Sequence, residues 1–525
     1  MTLPDPDAWP VHAPIDDPSG DLLHERAAST PDATAIVDTD TGERWTYAAF
    51  DERVSRRAHG LATRFDLEGG RVGLLLDTSV AFADSYFGTE RCGAAVVPLN
   101  LDLPAETIRR QAERADVDCL VCDSETEALA TDVAPADVPV GSVDPPESDP
   151  VVSLSLESEA QASLQSQTNA PTHPVKQPLD ADRVVLFTSG TTGDPKGVRL
   201  TRGNLVASAV GSADRLGVDP DDRWLVCLPM YHMGGLAPLV RSTLYGTTTV
   251  IQRSFDAHST ARVMGRYDVT GVSLVPTMLV RLLDAGWTPP ESLRFVLLGG
   301  APASETLLER ALDRDIPVYP TYGATETASQ VATATPEDVR ACPGTVGRPL
   351  RGTDVAILDT DGGATAEAGR GEIVVSGPTV TPGYLDEEQT TAAFDDAGFH
   401  TGDVGYRDDD GRLWVVGRLD DRIVTGGENV HPASVADALV DQPGVADAAV
   451  VGVPDEEWGE RVAALVVPVD PANPPAAETI RNGLRGAVAD YAVPKTVANA
   501  RELPRTASGT VDREAVRRRL ADAVE

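Results

Sequence analysis

Short apolar runs separated by amphipathic stretches fill the first two-thirds of the chain, and this alternation limits the folds open to it. RVGLLL (71–76), AAVVPLN (94–100) and VDCLVC (117–122) are almost continuously apolar. That is how strands buried on both faces read. Before and between them lie helical patterns. Phe50, Val54, Ala58, Leu61 and Phe65 recur at helical spacing over 47–65, and 80–92 and 106–115 also read as helices. Strands alternating with helices predict a parallel sheet with helices on its faces. The rhythm returns at VVLFTSG and runs through RWLVCLP, TTTVIQ, VTGVSLVP, RFVLLGG and PVYPTYG, with a helix over 304–314. These segments together predict a second doubly wound sheet.

Two stretches depart from the rhythm. Residues 124–180 are rich in Ser, Pro, Asp, Glu, Ala and Gln and poor in aromatics, which predicts a flexible acidic insertion. From about 344 the strands shorten (DVAILD, GEIVVSG, and a hairpin through RDDDGRLWVVG), predicting a β-barrel-like subdomain over 344–416. Beyond 420, ASVADALV and 478–491 read as helices, VADAAVVGVP and RVAALVVPV as strands, and VDREAVRRRL as a closing helix. The expected architecture is therefore α/β plus α+β. A large N-terminal domain (1–419) holds two doubly wound sheets and the β-rich subdomain, hinged to a small C-terminal α+β domain (420–525).

Charge narrows the partners. Acidic residues outnumber basic ones by 82 to 44, the net charge is −38, and only Lys176, Lys196 and Lys495 are lysines. The acidic residues are spread along a chain that is 41% hydrophobic, so the excess is not a disordered tail. It suits a surface working in molar salt, where the Debye length falls to about 3 Å. Such a surface argues against nucleic acid and anionic membranes as partners. Cys119 and Cys122 form a lone CxxC inside an apolar run, which reads as two buried thiols rather than a metal or redox site. MTLPDPDAWP has neither a basic start nor an apolar run, and no apolar stretch approaches the ~20 residues that span a bilayer. A cytoplasmic protein without membrane insertion is expected. Monomer and homodimer both remain open.

The scarcity of lysine makes FTSGTTGDPKG (187–197) informative, because Lys196 is spent there. The apolar run RVVLF predicts a strand that runs into TSGTTGDPKG, and a helix is expected from about Arg202. Gly190 and Gly193 let backbone N–H groups turn toward an anion, Ser189, Thr191 and Thr192 add hydroxyl donors, and Lys196 adds a mobile charge. This donor set suits a polyphosphate. No GK[ST] is present, so it is not a Walker loop. A plain Gly–Thr turn with a lysine at its edge is the alternative.

The stretch resembles the phosphate loop of the adenylate-forming superfamily, and further motifs follow in that superfamily's order. TYGATET (321–327) resembles its adenine and magnesium segment, HTGDVGY (400–406) its ribose segment and GRLDDRI (417–423) its hinge. GGENVHP (426–432) resembles its thioester loop and LPRTASGT (503–510) its final motif. The resemblance covers roughly residues 20–517. It implies ATP, Mg²⁺ and coenzyme A as cofactors and co-substrates, and a small carboxylic acid as the group activated. It places Thr188, Ser189, Gly190, Thr191, Thr192, Gly193 and Lys196 at the phosphates, and Gly300, Ala301, Tyr322 and Gly323 at the nucleotide. Thr325 would bond the α-phosphate, Glu326 would hold Mg²⁺, and Asp403 with Arg418 would hold the ribose. Asp420 would be the hinge, Gly426 and Gly427 would line the thiol's approach, and His232 in PMYHMGGL would border the acyl pocket. Each has a bland alternative: a core histidine at 232, an Asx turn at 403, a helix N-terminal charge at 326.

Within the superfamily, SLVPTMLVRLLD (273–284), residues 297–338 and VTGGENVHPASV (424–435) most resemble the o-succinylbenzoate–CoA ligases of menaquinone biosynthesis. An aromatic keto-diacid calls for a partly polar pocket, with Ser329 and Gln330 as candidate lining and Arg241 as a candidate partner for the benzoate. Ser329 and Gln330 equally suit the continuation of a short helix. Another aryl- or medium-chain acyl-CoA synthetase is the alternative within the class, and a nucleotide-binding protein without ligase activity is the alternative outside it. The chain departs from the superfamily at Thr510, where most members carry a lysine that reaches the reacting carboxylate. Arg505 and Arg513 are the neighbouring cations available to stand in. The retained Lys196, Glu326, Asp403 and Arg418 favour an active ligase.

Overall fold

The computed structural model describes residues 20–156, 178–188, 195–359, 369–419, 421, 423–425, 428–430, 432–455, 458–485, 487–505 and 511–522. Two large sheets form its body. In the first, strands Ala95–Pro98, Arg71–Leu75, Cys119–Cys122, Val140–Ser142 and Val152–Ser153 run parallel side by side. Strand Asp182–Thr188 joins Ala95–Pro98 in parallel, and Lys196–Thr201 folds back on it antiparallel. The two-residue strand Gly383–Tyr384 closes that edge. The second sheet has a parallel centre of Thr34–Asp38, Thr248–Ile251, Arg223–Val226, Gly271–Leu274, Phe295–Leu298 and Val318–Tyr322, with short antiparallel strands at both edges.

The burial pattern sets the layers. Helices Tyr47–Arg64, Val80–Arg91, Arg202–Leu216 and Met233–Tyr245 share one apolar cluster with Val72, Leu74, Val96 and Val184 of the first sheet and Trp224, Val226 and Leu297 of the second. They therefore lie between the sheets. Ala105–Arg114 and Glu127–Val133 cover the far side of the first sheet, while Ala257–Arg266, Pro276–Asp284 and Glu305–Leu312 cover the far side of the second. Phe50, Val54, Ala58 and Leu61 are all within 3% of full burial, as their helical spacing requires. Thr46 starts that helix by accepting from Ala49 N–H at 3.2 Å. Cys119 and Cys122 face opposite sides of their strand, in different clusters, and burial pushes the Cys122 thiol up to about 12. They are buried thiols, as expected from the lone CxxC.

Two expectations are corrected here. The first is the flexible insertion over 124–180. Residues 127–153 carry a helix and two strands that extend the first sheet, and Val133, Val140, Val151 and Leu154 are buried. Glu127, 4% exposed, accepts from the backbone N–H of Glu147 and Ser148 and so pins the loop ahead of the last strand. Polar composition masked this order because the loops between the elements supply most of the polar residues. Residues 157–177 lie outside the described residues. The second correction is sheet membership: VVLFTSG opens a strand of the first sheet, beside Ala95–Pro98, not of the second. The helix expected from about Arg202 is present as Arg202–Leu216, and it is preceded by strand Lys196–Thr201, which pairs antiparallel with Asp182–Thr188.

The β-rich subdomain is a five-stranded antiparallel sheet that includes Asp354–Leu358, Gly371–Ser376, Gly398–Arg407 and Leu413–Arg418. The C-terminal part pairs Val445–Asp455 with Gly459–Pro468 and backs them with Pro432–Val440, Ala477–Leu484 and Arg513–Asp522. The helix expected over 478–491 stops at Leu484. No described helix is long and apolar enough to cross a membrane.

Leu154→Ala should cost about 2–5 kcal/mol of stability, because the 1%-exposed side chain fills the space beside Gly141. Chemical denaturation measures this. Deleting 130–153 should leave no soluble, cooperatively unfolding protein, the opposite of what a dispensable loop would do.

Candidate active site

The site is built at the ends of the two sheets' strands. Thr188 and Lys196 are directly opposite partners in the antiparallel hairpin, so they form the rim from which loop 189–194 departs. Ser189, Gly190, Thr191, Thr192 and Gly193 lie outside the described residues. The Lys196 ammonium stands 5.1 Å from the centre of the Tyr384 ring. The Tyr384 hydroxyl donates to Glu326 Oε1 at 3.0 Å. Burial, and then the Glu326 carboxylate, hold the Tyr384 phenol far above its usual range, so it stays a donor.

Glu326 sits in the turn Thr325–Thr327, just past strand Val318–Tyr322. The carboxyl end of a parallel strand is where open α/β sheets present ligand groups. The turn is held tightly. A Cβ on Gly323 would lie 1.7 Å from the Ser329 carbonyl oxygen and 2.9 Å from Gln330 Cα. Ala328 and Ser329 adopt φ of 51° and 109°, which for residues with a Cβ costs on the order of 1–3 kcal/mol each. The Ser208 hydroxyl offsets part of this by donating to the Ala328 carbonyl at 2.6 Å. Arg241, 2% exposed, donates to the Ser208 hydroxyl at 3.1 Å and lies over the Trp224 ring. Burial lowers its pKa, and its Nε has no hydrogen-bond partner among the described residues.

A second cluster lies on the β-rich sheet. Asp403 and Arg418 are cross-strand partners, and Arg418 Nη1 donates to Asp403 Oδ1 at 3.2 Å. Tyr322 donates to the other oxygen, Oδ2, at 2.6 Å. Burial and Asp403 push the Tyr322 phenol well up. Gly402, at φ +70°, leaves the room that Arg418 uses, since a Cβ there would lie 3.0 Å from its Nη2. Gly300, at φ +78°, and Ala301 lie in the loop after strand Phe295–Leu298, beside the strand that ends at Tyr322.

His232 precedes helix Met233–Tyr245. Its Nε2 is buried without a hydrogen-bond partner among the described residues. Burial lowers its pKa, partly opposed by Asp102, so the neutral ring is favoured. Ser329 is half-buried, whereas Gln330 is fully buried and donates to the Thr333 hydroxyl at 2.7 Å. Asp420, Gly426, Gly427 and Thr510 lie outside the described residues. The two arginines near Thr510 are separated. Arg505 pairs with Asp447 at 2.7 Å, within the C-terminal part. Arg513 pairs with Asp421, and burial together with nearby Arg418 lowers its pKa.

Two residues of this site escaped the sequence reading. Thr381 donates its N–H to the Glu326 carbonyl at 2.8 Å, and Tyr384 joins Lys196 to Glu326. A Pro-Gly-Tyr turn is the only local signal, and the pairing that gives it meaning is with a distant strand.

Family models described as AMP-binding enzyme and AMP-binding enzyme C-terminal domain match residues 23–385 and 434–510. The chain belongs to the AMP-binding enzyme family. Among curated members, the 2-succinylbenzoate–CoA ligase of Bacillus cereus (strain AH820) is 37% identical over 506 residues, covering 96% of this chain and 98% of its own. The o-succinylbenzoate CoA synthetase of Bacillus subtilis, in complex with its acyl-adenylate intermediate OSB-AMP, superposes with a TM-score of 0.84 at 32% identity, covering 95% and 98%. ATP-bound MatB from Rhodopseudomonas palustris superposes at 0.86 with 29% identity, covering 96% and 99%. A double variant of the Bacillus subtilis enzyme bound to a product analogue, OSB-NCoA, reaches only 0.69 at the same 32% identity and 96% coverage.

Gly323→Ala should abolish nucleotide binding while leaving most of the stability, since the methyl displaces one turn rather than the core. Equilibrium ATP binding and thermal unfolding, measured together, check this. Lys196→Ala should slow pyrophosphate release about 10- to 100-fold, the worth of one charge-assisted phosphate contact.

Proposed function

We propose that this chain joins 2-succinylbenzoate to coenzyme A through an acyl-adenylate, consuming ATP and releasing AMP and pyrophosphate. A carboxylate is a poor acyl donor because its leaving group would be oxide. Attack by its oxygen on the α-phosphorus of ATP expels pyrophosphate and leaves a mixed anhydride. Attack by the thiol sulfur on the acyl carbon then expels AMP, and the thiol proton is lost. Positioning and charge neutralisation do the catalytic work.

The observation that carries this reading is the turn 325–330. Its first residues meet the phosphate side through Glu326 and Tyr384, and its last residues meet the interior through Ser208 and Arg241. In this reading Lys196 and loop 188–193 hold the phosphates, Thr325 bonds the α-phosphate, and Glu326 with the phosphates holds Mg²⁺. One carboxylate plus phosphates is a donor set suited to Mg²⁺. Asp403 and Arg418 hold the ribose, with Tyr322, Gly323, Gly300 and Ala301 around the base. On the acid side, His232 and Ser329 border the pocket. Arg241 has no acidic partner among the described residues, and a substrate with a second carboxylate would supply one.

The boundary between the large and small parts is placed near Asp420, with Gly426 and Gly427 at the thiol's approach. This reading favours Arg513, which pairs with Asp421 and lies near Arg418, over Arg505, which pairs with Asp447, as the cation that serves where Thr510 stands in place of the superfamily's lysine. The acidic excess fits a cytoplasm at molar salt, and menaquinone biosynthesis is the route the acid implies.

The test is pyrophosphate release over a panel of acids in molar KCl. Turnover of 2-succinylbenzoate and not of octanoate is expected, and the reverse would reassign the acid. In the same assay Arg513→Ala should lower adenylation at least 10-fold and Arg505→Ala much less. No adenylate from the wild type, with activity gained by Thr510→Lys, would make the chain a nucleotide binder instead.

A further inference from the structure

We propose that Tyr384 is a positioning residue that stands between the phosphate-binding lysine and the metal-binding carboxylate and keeps them from pairing with each other. The inference rests on the nucleotide side of the reading above and assigns a role to a residue outside it.

The segment carrying Tyr384 is fixed at several points. Asn204, near the start of helix Arg202–Leu216, donates to the carbonyls of Pro378 and Val380 at 2.9 and 2.7 Å. Thr381 N–H reaches the Glu326 carbonyl at 2.8 Å, and the Thr381 hydroxyl donates to the Arg199 carbonyl. Gly383 and Tyr384 pair antiparallel with Arg199 and Val198, and Leu385 N–H donates to the Gly197 carbonyl at 2.8 Å. The edge strand packs closely over Gly197, where a Cβ would lie 2.6 Å from Leu385 Cδ1. Residues 378–385 therefore tie the hairpin that carries Lys196 to the turn that carries Glu326. The Tyr384 side chain, 4% exposed, projects from this tie between the two ions.

Its chemistry is matched to both neighbours. The hydroxyl donates to Glu326 and the ring face receives the Lys196 ammonium. Among the described residues neither ion has an opposite-charge partner. Direct pairing of the lysine with the glutamate would occupy both groups that MgATP must engage. It would have to be broken when the nucleotide arrives, and it would be harder to break than one hydrogen bond and one cation–π contact. A neutral phenol between the ions holds each in place and yields each more readily. Phenylalanine at 384 would keep the ring but release the carboxylate, and leucine would release both.

The experiment is equilibrium binding of ATP to the full chain without acid or coenzyme A, titrated with and without Mg²⁺, for wild type, Tyr384→Phe, Glu326→Gln and the double variant. Thermal unfolding is followed in parallel. Tyr384→Phe is expected to weaken MgATP binding about 10-fold or more, the size of a hydrogen bond to a charged group. It should leave Mg²⁺-free ATP binding within about two-fold, leave the unfolding temperature near wild type, and add nothing once Glu326 is Gln. Tyr384→Leu should weaken ATP binding without Mg²⁺ as well. Unchanged MgATP affinity in Tyr384→Phe, or equal losses with and without Mg²⁺ and in the Glu326→Gln background, would overturn the proposal. If Tyr384→Phe fails to fold, Glu326→Gln decides the matter. The phenol would then face a neutral amide oxygen in place of the carboxylate, and wild-type Mg²⁺ dependence in Glu326→Gln would overturn the proposal too. A wild-type chain that binds no MgATP would instead overturn the functional reading.

Discussion

The active end of the molecule depends on one backbone pairing, the antiparallel hairpin that sets Thr188 opposite Lys196. In the proposed reading the glycine-rich loop after Thr188 binds phosphate, and such a loop has to leave from and return to fixed points, or the entropy of ordering it would be charged against binding. The hairpin supplies those points. Its first strand is locked into the parallel sheet beside Ala95–Pro98, and its second is locked at the edge by Gly383–Tyr384. The carboxylate turn at Glu326 and the lysine at 196 are thus referenced to one short edge strand, although they belong to different sheets.

A second constraint is electrostatic. A chain of net charge −38 has to attract a polyanion, and a diffuse positive field cannot do this here. The structure uses few cations in defined places. Many arginines are committed to carboxylates or carbonyls, such as Arg57 to Asp84 and Arg91 to Asp21 and Asp51. Lys196, by contrast, rests on a ring face, and Arg418 is tied to a carboxylate that also accepts from Tyr322. In the proposed reading these two cations, held by weak or shared partners, are the ones that meet the nucleotide.

How much of this was legible depended on the range of the interactions. The parallel strands were readable because burial on both faces makes them continuously apolar, and the inner helices because Phe50, Val54, Ala58 and Leu61 mark one face. The Asp403–Arg418 pair was anticipated from two motifs, and cross-strand register brings them together. The edge strands Val140–Ser142 and Val152–Ser153 were hidden because they are short and set among polar loops. Strand Asp182–Thr188 was assigned to the wrong sheet because sequence order gives no pairing partner. Tyr384 was missed for the same reason, since its meaning lies in contacts with residues 196–201 and 326. Gln330, a candidate for the pocket lining, is buried; its amide nitrogen donates to Thr333, and its Oε1 has no hydrogen-bond partner among the described residues.

The central claim is that this chain activates a carboxylate by transferring it to the α-phosphorus of ATP. Supplying 2-succinylbenzoate with ¹⁸O in both carboxyl groups, with ATP and coenzyme A in molar KCl, tests it most directly. The account predicts one ¹⁸O in the AMP formed and none in the pyrophosphate, because the attacking oxygen leaves with AMP when the thiol takes the acyl group. Label in pyrophosphate or orthophosphate, or thioester formed with unlabelled AMP, would contradict it.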